Sequence, residues 1–564
     1  VTATLKGQPA GGALGGLWQR QLDHYPETRP RVLYLAIVVL ATIILYYELY
    51  IAGAVAPSII ADFGMTFPFY VYITVVGNAI GAFSSLIAGL GDRWGRANMV
   101  AYGLLITGAL TLFGIPNATN KWSFAILVYI IGFVEGVILV ATPALVRDFS
   151  PQLGRASAMG FWTLGPVVGS LVVSVVSSNT LNSLHPWQDQ FIICGIVGLV
   201  VGVIAIFALK ELSPQLRDQL MVSLRDRALI EAKARGLDIT ESLKKPWRQM
   251  MRLDVIGSAF AISVFLIIYY TAVGFFTIYF ESIHGFTLSQ ANGLGNWFWA
   301  FDAGALIIVG IISDRLGVRK PFMVIGALGA IVMTIIFLGL GGGTSLGTFA
   351  LVISLNAVFL AIAYGPWMAS FTETVEKHNP ALTATGLAVW GWIIRAVVAI
   401  SIAILPLVVS AMTPLVTYGT PVATLSAKYA PQLQTLGAID KQTLGTLQAN
   451  PADPAAGAKA VGEIATAFKI SPTDATARLI AVSKVPKGDL LFLQAHGPDV
   501  QKAAADAPGQ WKAWWWVCVG GEVAFLPFIL IMTGRWSPRR AREDRAEHER
   551  AVQAELAALQ TEKA

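Results

Sequence analysis

Five ionisable residues stand inside long apolar runs: Glu48, Glu135, Asp302, Arg395 and Glu522. A charge at the middle of a bilayer costs about 3 kcal/mol on insertion scales. Left facing lipid, the five would together cost on the order of 10 kcal/mol or more. They must line a wet cavity or pair with one another. A carboxyl held away from water is costly to keep charged, so it can take up a proton on one side and release it on the other. Glu48 is the first choice for that role, Glu135 the second, and Asp302 a further candidate. The structural alternative for Glu48 is a hydrogen bond to Tyr46, Tyr47 or backbone. Arg395 carries a forked set of donors matched to a carboxylate or phosphate. Two readings of it stand: facing a cavity it selects an organic anion, and paired with Asp302 it locks a seam. Asn356, Tyr269, Tyr270, Asn296 and Tyr364 could complete a binding site with hydrogen bonds and aromatic faces. Glu522 reads as a structural acid with a local partner.

These residues need helices to hold them. Hydrophobic residues make up 55% of the 564 and charged ones only 13%, which excludes a soluble globular protein of this length. Runs long enough to cross a bilayer, roughly 20 residues each, fall near 32–59, 67–90, 98–115, 123–146, 156–178 and 189–209. Six more follow near 255–280, 290–313, 320–340, 348–370, 385–411 and 512–534. The first run is too long and too late for a cleaved leader. Lysine and arginine crowd the loops after the second, fourth, sixth and eighth runs, so both termini are expected on the cytoplasmic side of the cell membrane. The two cysteines, Cys194 and Cys518, sit in apolar runs and offer no metal cluster or disulfide framework. No phosphate-cradling loop, Ser-His-Asp set or basic nucleic-acid patch appears, so neither an enzyme nor a cofactor is expected, and a proton gradient is the expected energy source.

A charged loop occurs twice. Gly91-Asp92-Arg93-Trp94-Gly95-Arg96 follows the second run, and Gly310 through Lys320, with Asp314, Arg315, Gly317 and Arg319, follows the eighth. Its duplication divides the chain into two related halves. Twelve spans with Gly-x-x-x-Asp-Arg-x-Gly-x-Arg after the second and eighth resemble the major facilitator superfamily, although Ala88 replaces the first glycine in the earlier copy. The resemblance covers nearly the whole chain except 413–510. It implies two helical bundles rocking about a central site, with spans one, four, seven and ten around the cavity. Spans two, five, eight and eleven would form the seam, and Asp92, Arg93, Arg96, Asp314, Arg315 and Arg319 would form a cytoplasmic gate. The Tyr46–Pro57 stretch resembles proton-coupled metabolite symporters, in which the acid is a proton site. Gly165-Pro166-Val167-Val168-Gly169 instead resembles proton-driven exporters.

The expected protein is all-α and polytopic, with twelve transmembrane helices in two six-helix pseudo-repeat bundles and a small helical insertion outside the cytoplasm. Its parts are an N-terminal segment 1–31, a bundle 32–210, a linker 211–252, spans seven to eleven in 253–412, the insertion 413–510, span twelve in 511–534 and a tail 535–564. Val461, Ile464, Ala465 and Phe468 at helical spacing, and a helix start at Ser471-Pro472-Thr473-Asp474, argue that the insertion folds. It could be a lid, a passive cap or a docking site for an envelope protein. The leading function is proton-coupled symport of a small organic solute by a monomer in the lipid bilayer. The alternatives are a proton-driven efflux antiporter and, more remotely, a membrane scaffold or receptor using 413–510. If the loops gate the cytoplasmic side, Asp92→Asn or Asp314→Asn lowers maximal turnover while apparent affinity stays nearly constant in an initial-rate uptake assay.

Overall fold

The computed structural model describes residues 20–87, 95–149, 154–181, 187–213, 246–379 and 383–543, with a few isolated positions besides. The chain divides into two compact units, one comprising Val1–Val408 with Trp511–Ala564 and the other Val409–Gln510. Among the described residues, twelve helices are long and apolar enough to cross a membrane. Spans one to six are Thr28–Ala54, Phe67–Ser84, Arg96–Asn117, Lys121–Val146, Thr163–Thr180 and Gln188–Ala208. Spans seven to twelve are Leu253–His284, Leu288–Leu316, Lys320–Gly339, Leu346–His378, Thr385–Val408 and Lys487–Ile531. The twelfth is the end of a 45-residue helix that begins at Lys487, well before the start near 512 expected from hydropathy.

The packing repeats between the halves. Span two lies along span four as span eight lies along span ten, and span three meets span four as span nine meets span ten. Spans five and eight, and spans two and eleven, join the two bundles. Between spans two and four the backbones nearly touch. A Cβ on Gly81 would stand 2.9 Å from the Gly132 carbonyl oxygen, and one on Gly136 would stand 2.1 Å from the Gly81 oxygen. Lipid tails give helices no hydrophobic reason to associate, so such small-residue stripes supply the van der Waals contact instead.

One departure from an all-helical chain ties the first bundle together. Gln21–Leu22 (β1) pairs in parallel with Glu211–Leu212 (β2). Beside them the buried Arg20 donates to the carbonyls of Ala205 and Ile206, at 2.7 and 2.8 Å, and to Asn98 Oδ1 at 2.7 Å. These are last-turn carbonyls of span six, at the negative end of its dipole; the Ala205 oxygen also accepts from the capping Leu209 N–H at 3.0 Å. At the opposite helix polarity, Glu211 Oε2 accepts from the Arg96 backbone N–H at 2.6 Å, at the start of span three. Gly95 makes the turn before it with φ of 88°. A side chain there would also collide with the Glu211 carboxylate, 2.6 Å away.

The Val409–Gln510 unit is helical throughout, with helices Met412–Lys428, Ala430–Gly437, Lys441–Ala449, Pro454–Phe468 and Pro472–Ser483. Ile439, Ala460, Ile464 and Ala475 form its core, with Val461, Ala465 and Phe468 packed against them. Ser471 caps the last of these helices by accepting from the Asp474 N–H at 3.1 Å, where the sequence places a helix start. In the membrane unit, Trp511, Trp514 and Trp515 are buried, and Trp511 and Trp515 both meet Tyr279. Trp511, Trp514 and Trp515 are therefore packing residues, whereas Trp516 is exposed.

Gly136→Val forces the span two–span four contact apart. It is expected to lower stability by about 1–3 kcal/mol, as overpacking does, read as a fall in the thermal unfolding midpoint in detergent.

Candidate functional site

A cavity of about 420 Å³ lies between the bundles. Spans one, two and four wall it on one side, and spans seven and eleven on the other. Glu48, Glu135, Tyr270 and Arg395 all line it, with Tyr50, Asn78 and Trp392. Four of the residues singled out by sequence thus come together, two acids from the first half facing a guanidinium and a phenol from the second. Span ten, expected in the wall, contributes no lining residue; spans two and eleven take part instead.

Glu48 is 5% exposed. Its Oε2 accepts from Thr107 Oγ1 of span three at 2.6 Å, while Oε1 has no protein partner. Span six comes so close that a Cβ on Gly198 would stand 2.0 Å from Oε1, so glycine is required for the acid to fit. Glu135 is equally buried and its Oε1 is likewise unpartnered. The two carboxyls act on each other electrostatically, and both act on Cys194. Across the cavity, Arg395 acts on Tyr270, and also on Tyr46 of the first half. The arrangement can hold an anionic group at the arginine while a proton is exchanged at the acids.

The remaining candidates are engaged elsewhere. Asn356 faces span nine, donating to Thr334 Oγ1 at 2.9 Å and to the Ala330 carbonyl at 3.3 Å. Thr334 in turn donates to Glu522 Oε1 at 2.8 Å, the local partner expected for that acid. Asn296 donates to Ser178 Oγ at 2.9 Å. Tyr269 packs edge-on against Trp299, with centroids 5.0 Å apart, and Tyr364 stacks on Trp367. Asp302 is buried outside the cavity lining, beside Tyr269 and Tyr364. Asn296, Asn356, Tyr269, Tyr364 and Asp302 are absent from this cavity's wall; the first three are engaged by neighbouring helices, and Tyr364 by Trp367 of its own.

At the end bearing the Asp-Arg loops, each bundle holds a charge cluster. Arg96 donates through Nη1 to both carboxylate oxygens of Asp148, just past span four, at 2.8 and 3.0 Å. Arg319 meets Asp314 at 2.7 Å and Glu373 of span ten at 3.1 Å, and donates to Ser313 Oγ at 2.8 Å. Arg315 is exposed, and Asp92 and Arg93 lie outside the described residues. Sequence reasoning missed Asp148 and Glu373. Each follows the fourth apolar run of its half, so laying one half over the other points to both. Thr107, which fixes the Glu48 carboxyl, gave no such signal.

A family model described as Major Facilitator Superfamily matches residues 38–403. Among curated proteins, this chain is 22% identical over 289 residues to efflux pump radE of Floropilus chiversii, spanning 47% of this chain and 53% of that one. It is 26% identical over 239 residues to the probable anion transporter 4, chloroplastic, of Arabidopsis thaliana, spanning 41% of this chain and 44% of the relative. The matches thus extend over about half the length of these relatives. Among solved structures, a bacterial homologue of the human lysosomal transporter Spinster, inward-facing and unoccupied, aligns with a TM-score of 0.54 at 15% identity. That alignment covers 91% of this chain and 100% of the other.

Thr107→Val leaves both Glu48 oxygens unpartnered. It is expected to cost about 1–3 kcal/mol, seen as a lower unfolding midpoint, and Thr107→Ser restores it.

Proposed function

This chain belongs to the Major Facilitator Superfamily, and on that premise we propose that it carries a small organic anion across the membrane by alternating access, in symport with protons. The family is one of transporters rather than enzymes and needs no cofactor. The observation that carries the reading is the cavity itself: Arg395 stands opposite Glu48 and Glu135, two buried acids each with an oxygen that no protein group satisfies. The arginine fork anchors a carboxylate or phosphate. A proton arriving at Glu48 removes the charge that makes moving the empty site through an apolar barrier costly. The name of the Arabidopsis relative, an anion transporter, supports this cargo class. The wall of the cavity nearest the two acids repels a second negative charge until it is protonated.

Export is the second reading, supported by the name of the fungal relative and by the motif in span five. Gly165 and Gly169 of that motif pack on span one, where a Cβ would stand 2.5 Å from Thr42 Cγ2 and 2.6 Å from Tyr46 Cβ. The motif therefore fixes the helix that carries Glu48. We place both termini and the charged loops on the cytoplasmic side of the plasma membrane, with the 413–510 insertion on the other side, and take the carrier to act as a monomer.

The test compares small molecules in cells and medium of wild-type, deletion and Glu48→Gln strains. For import, an anionic solute stays in the medium of both mutants; for export, it is trapped inside. No difference anywhere overturns both. Arg395→Gln is expected to raise the apparent KM for that solute by about 10–100-fold, the loss of a charge-assisted pair.

A further inference from the structure

We propose that the broken end of span one is a latch, caught by Thr277 and Asn292 of the second half, which holds the cavity shut at the end away from the Asp-Arg loops. Span one stops at Ala54, and Val55 leaves helical geometry, with φ of −123° and ψ of 16°. Pro57 accounts for the break. It has no N–H to give the Gly53 carbonyl, and its ring crowds that oxygen. An unsatisfied carbonyl at membrane depth costs several kcal/mol, so another group must take it. Thr277 Oγ1 of span seven donates to Gly53 O at 2.7 Å. Asn292 of span eight donates to Ala54 O at 2.9 Å and uses its other hydrogen on its own helix, at Leu288 O. Tyr70 OH of span two, within the first half, donates to Ala52 O at 3.1 Å. Three consecutive carbonyls of one helix end are thus taken by three side chains, two of them from the opposite bundle.

The surrounding contact is close enough to depend on those bonds. A Cβ on Gly53 would stand 2.6 Å from the Val273 carbonyl oxygen, so the backbones of spans one and seven touch at this point. The same seam continues between spans five and eight, where Ser289 donates to the Ser178 carbonyl at 2.7 Å and Asn296 to the Ser178 hydroxyl. At the other end of the molecule, the charge clusters of Arg96 with Asp148 and of Arg319 with Glu373 each lie within one bundle. In the opposite state of the carrier the bundles part at the latch. The carbonyls of Gly53 and Ala54 then face water, which satisfies them at little cost. A proline break therefore supplies acceptors that bond protein in one state and solvent in the other, and a continuous helix would offer none.

The inference rests on the alternating-access reading, but its test needs no cargo. Spin labels at Thr119→Cys and Gly342→Cys, on loops at the latch end of opposite halves, report the separation in the purified full chain without any solute. Cys194 and Cys518 are fully buried and stay in place. Thr277→Val is expected to raise the ratio of long to short separations by roughly fivefold, and Thr277→Val with Asn292→Leu by roughly twenty- to fiftyfold, in line with one net hydrogen bond per step. Thr277→Ser keeps the donor and reads as wild type. Unchanged separations in both Val variants overturn the latch, whether or not transport is later found. A long separation already dominant in wild type overturns it as well. Should the double variant fail to fold, Thr277→Val against Thr277→Ser decides.

Discussion

A bilayer interior offers no partner to a charge or to an open peptide group, and that scarcity organises this protein. A polar atom placed within a span is costly unless another span, the cavity or a change in the helix meets it. Glu48, whose residue lines the cavity, is met on one oxygen by Thr107, while its other oxygen lies unpartnered against Gly198 of span six. Glu522, of the same chemistry, is met by Thr334, which Asn356 also serves, and lies outside the cavity lining. The first arrangement leaves a carboxyl at the cavity wall. The second makes a cross-brace between spans nine, ten and twelve. Residue type alone does not separate the two roles, and neither does the second oxygen, which is buried and unpartnered in both; membership of the cavity wall does.

The same scarcity explains why so many contacts are made by glycine. With no gain from expelling lipid, helices bind by surface fit, and fit is closest where no Cβ intervenes. Gly77 and Gly81 on span two oppose Gly132 and Gly136 on span four, Gly198 makes room for the Glu48 carboxyl, and Gly53 lets spans one and seven meet. Glu135 sits directly beside the Gly132–Gly136 contact, so the helix that presents it is held by backbone proximity. Its position is consequently less tolerant of side-chain growth nearby than a leucine-packed helix would be.

Much of the architecture was legible because hydropathy, charged loops and the duplicated Asp-Arg turn are local signals. The twelve spans, the two halves and the helix start at Ser471 could be read from short stretches of chain, whereas the seam of spans two, five, eight and eleven followed only from the family resemblance. The helical face that each polar residue presents could not. Glu48, Glu135, Tyr270 and Arg395 were found because an ionisable or phenolic group in an apolar run is itself a signal. Asn356 carried the same kind of signal and yet faces span nine, since rotation about a helix axis is fixed by packing partners far away in sequence. Span ten fell out of the cavity wall for that reason. Asp148 and Glu373 were passed over because each stands at a span end, where an acid costs little and attracts no notice.

The pairing of β1 with β2 has a consequence for how the protein is made. Arg20 and its acceptor at Ala205 are separated by 185 residues, and all six spans of the first bundle lie between the two strands. At ribosomal rates of roughly 5–20 residues per second, Arg20 emerges about 10–40 s before the carbonyls it binds. Until then a guanidinium destined for burial must wait in solvent, and Glu211, which closes the start of span three, does not yet exist. The knot can be tied only once span six has been delivered and turned the right way. It thereby registers the completed insertion of the first bundle before the second has begun to leave the ribosome.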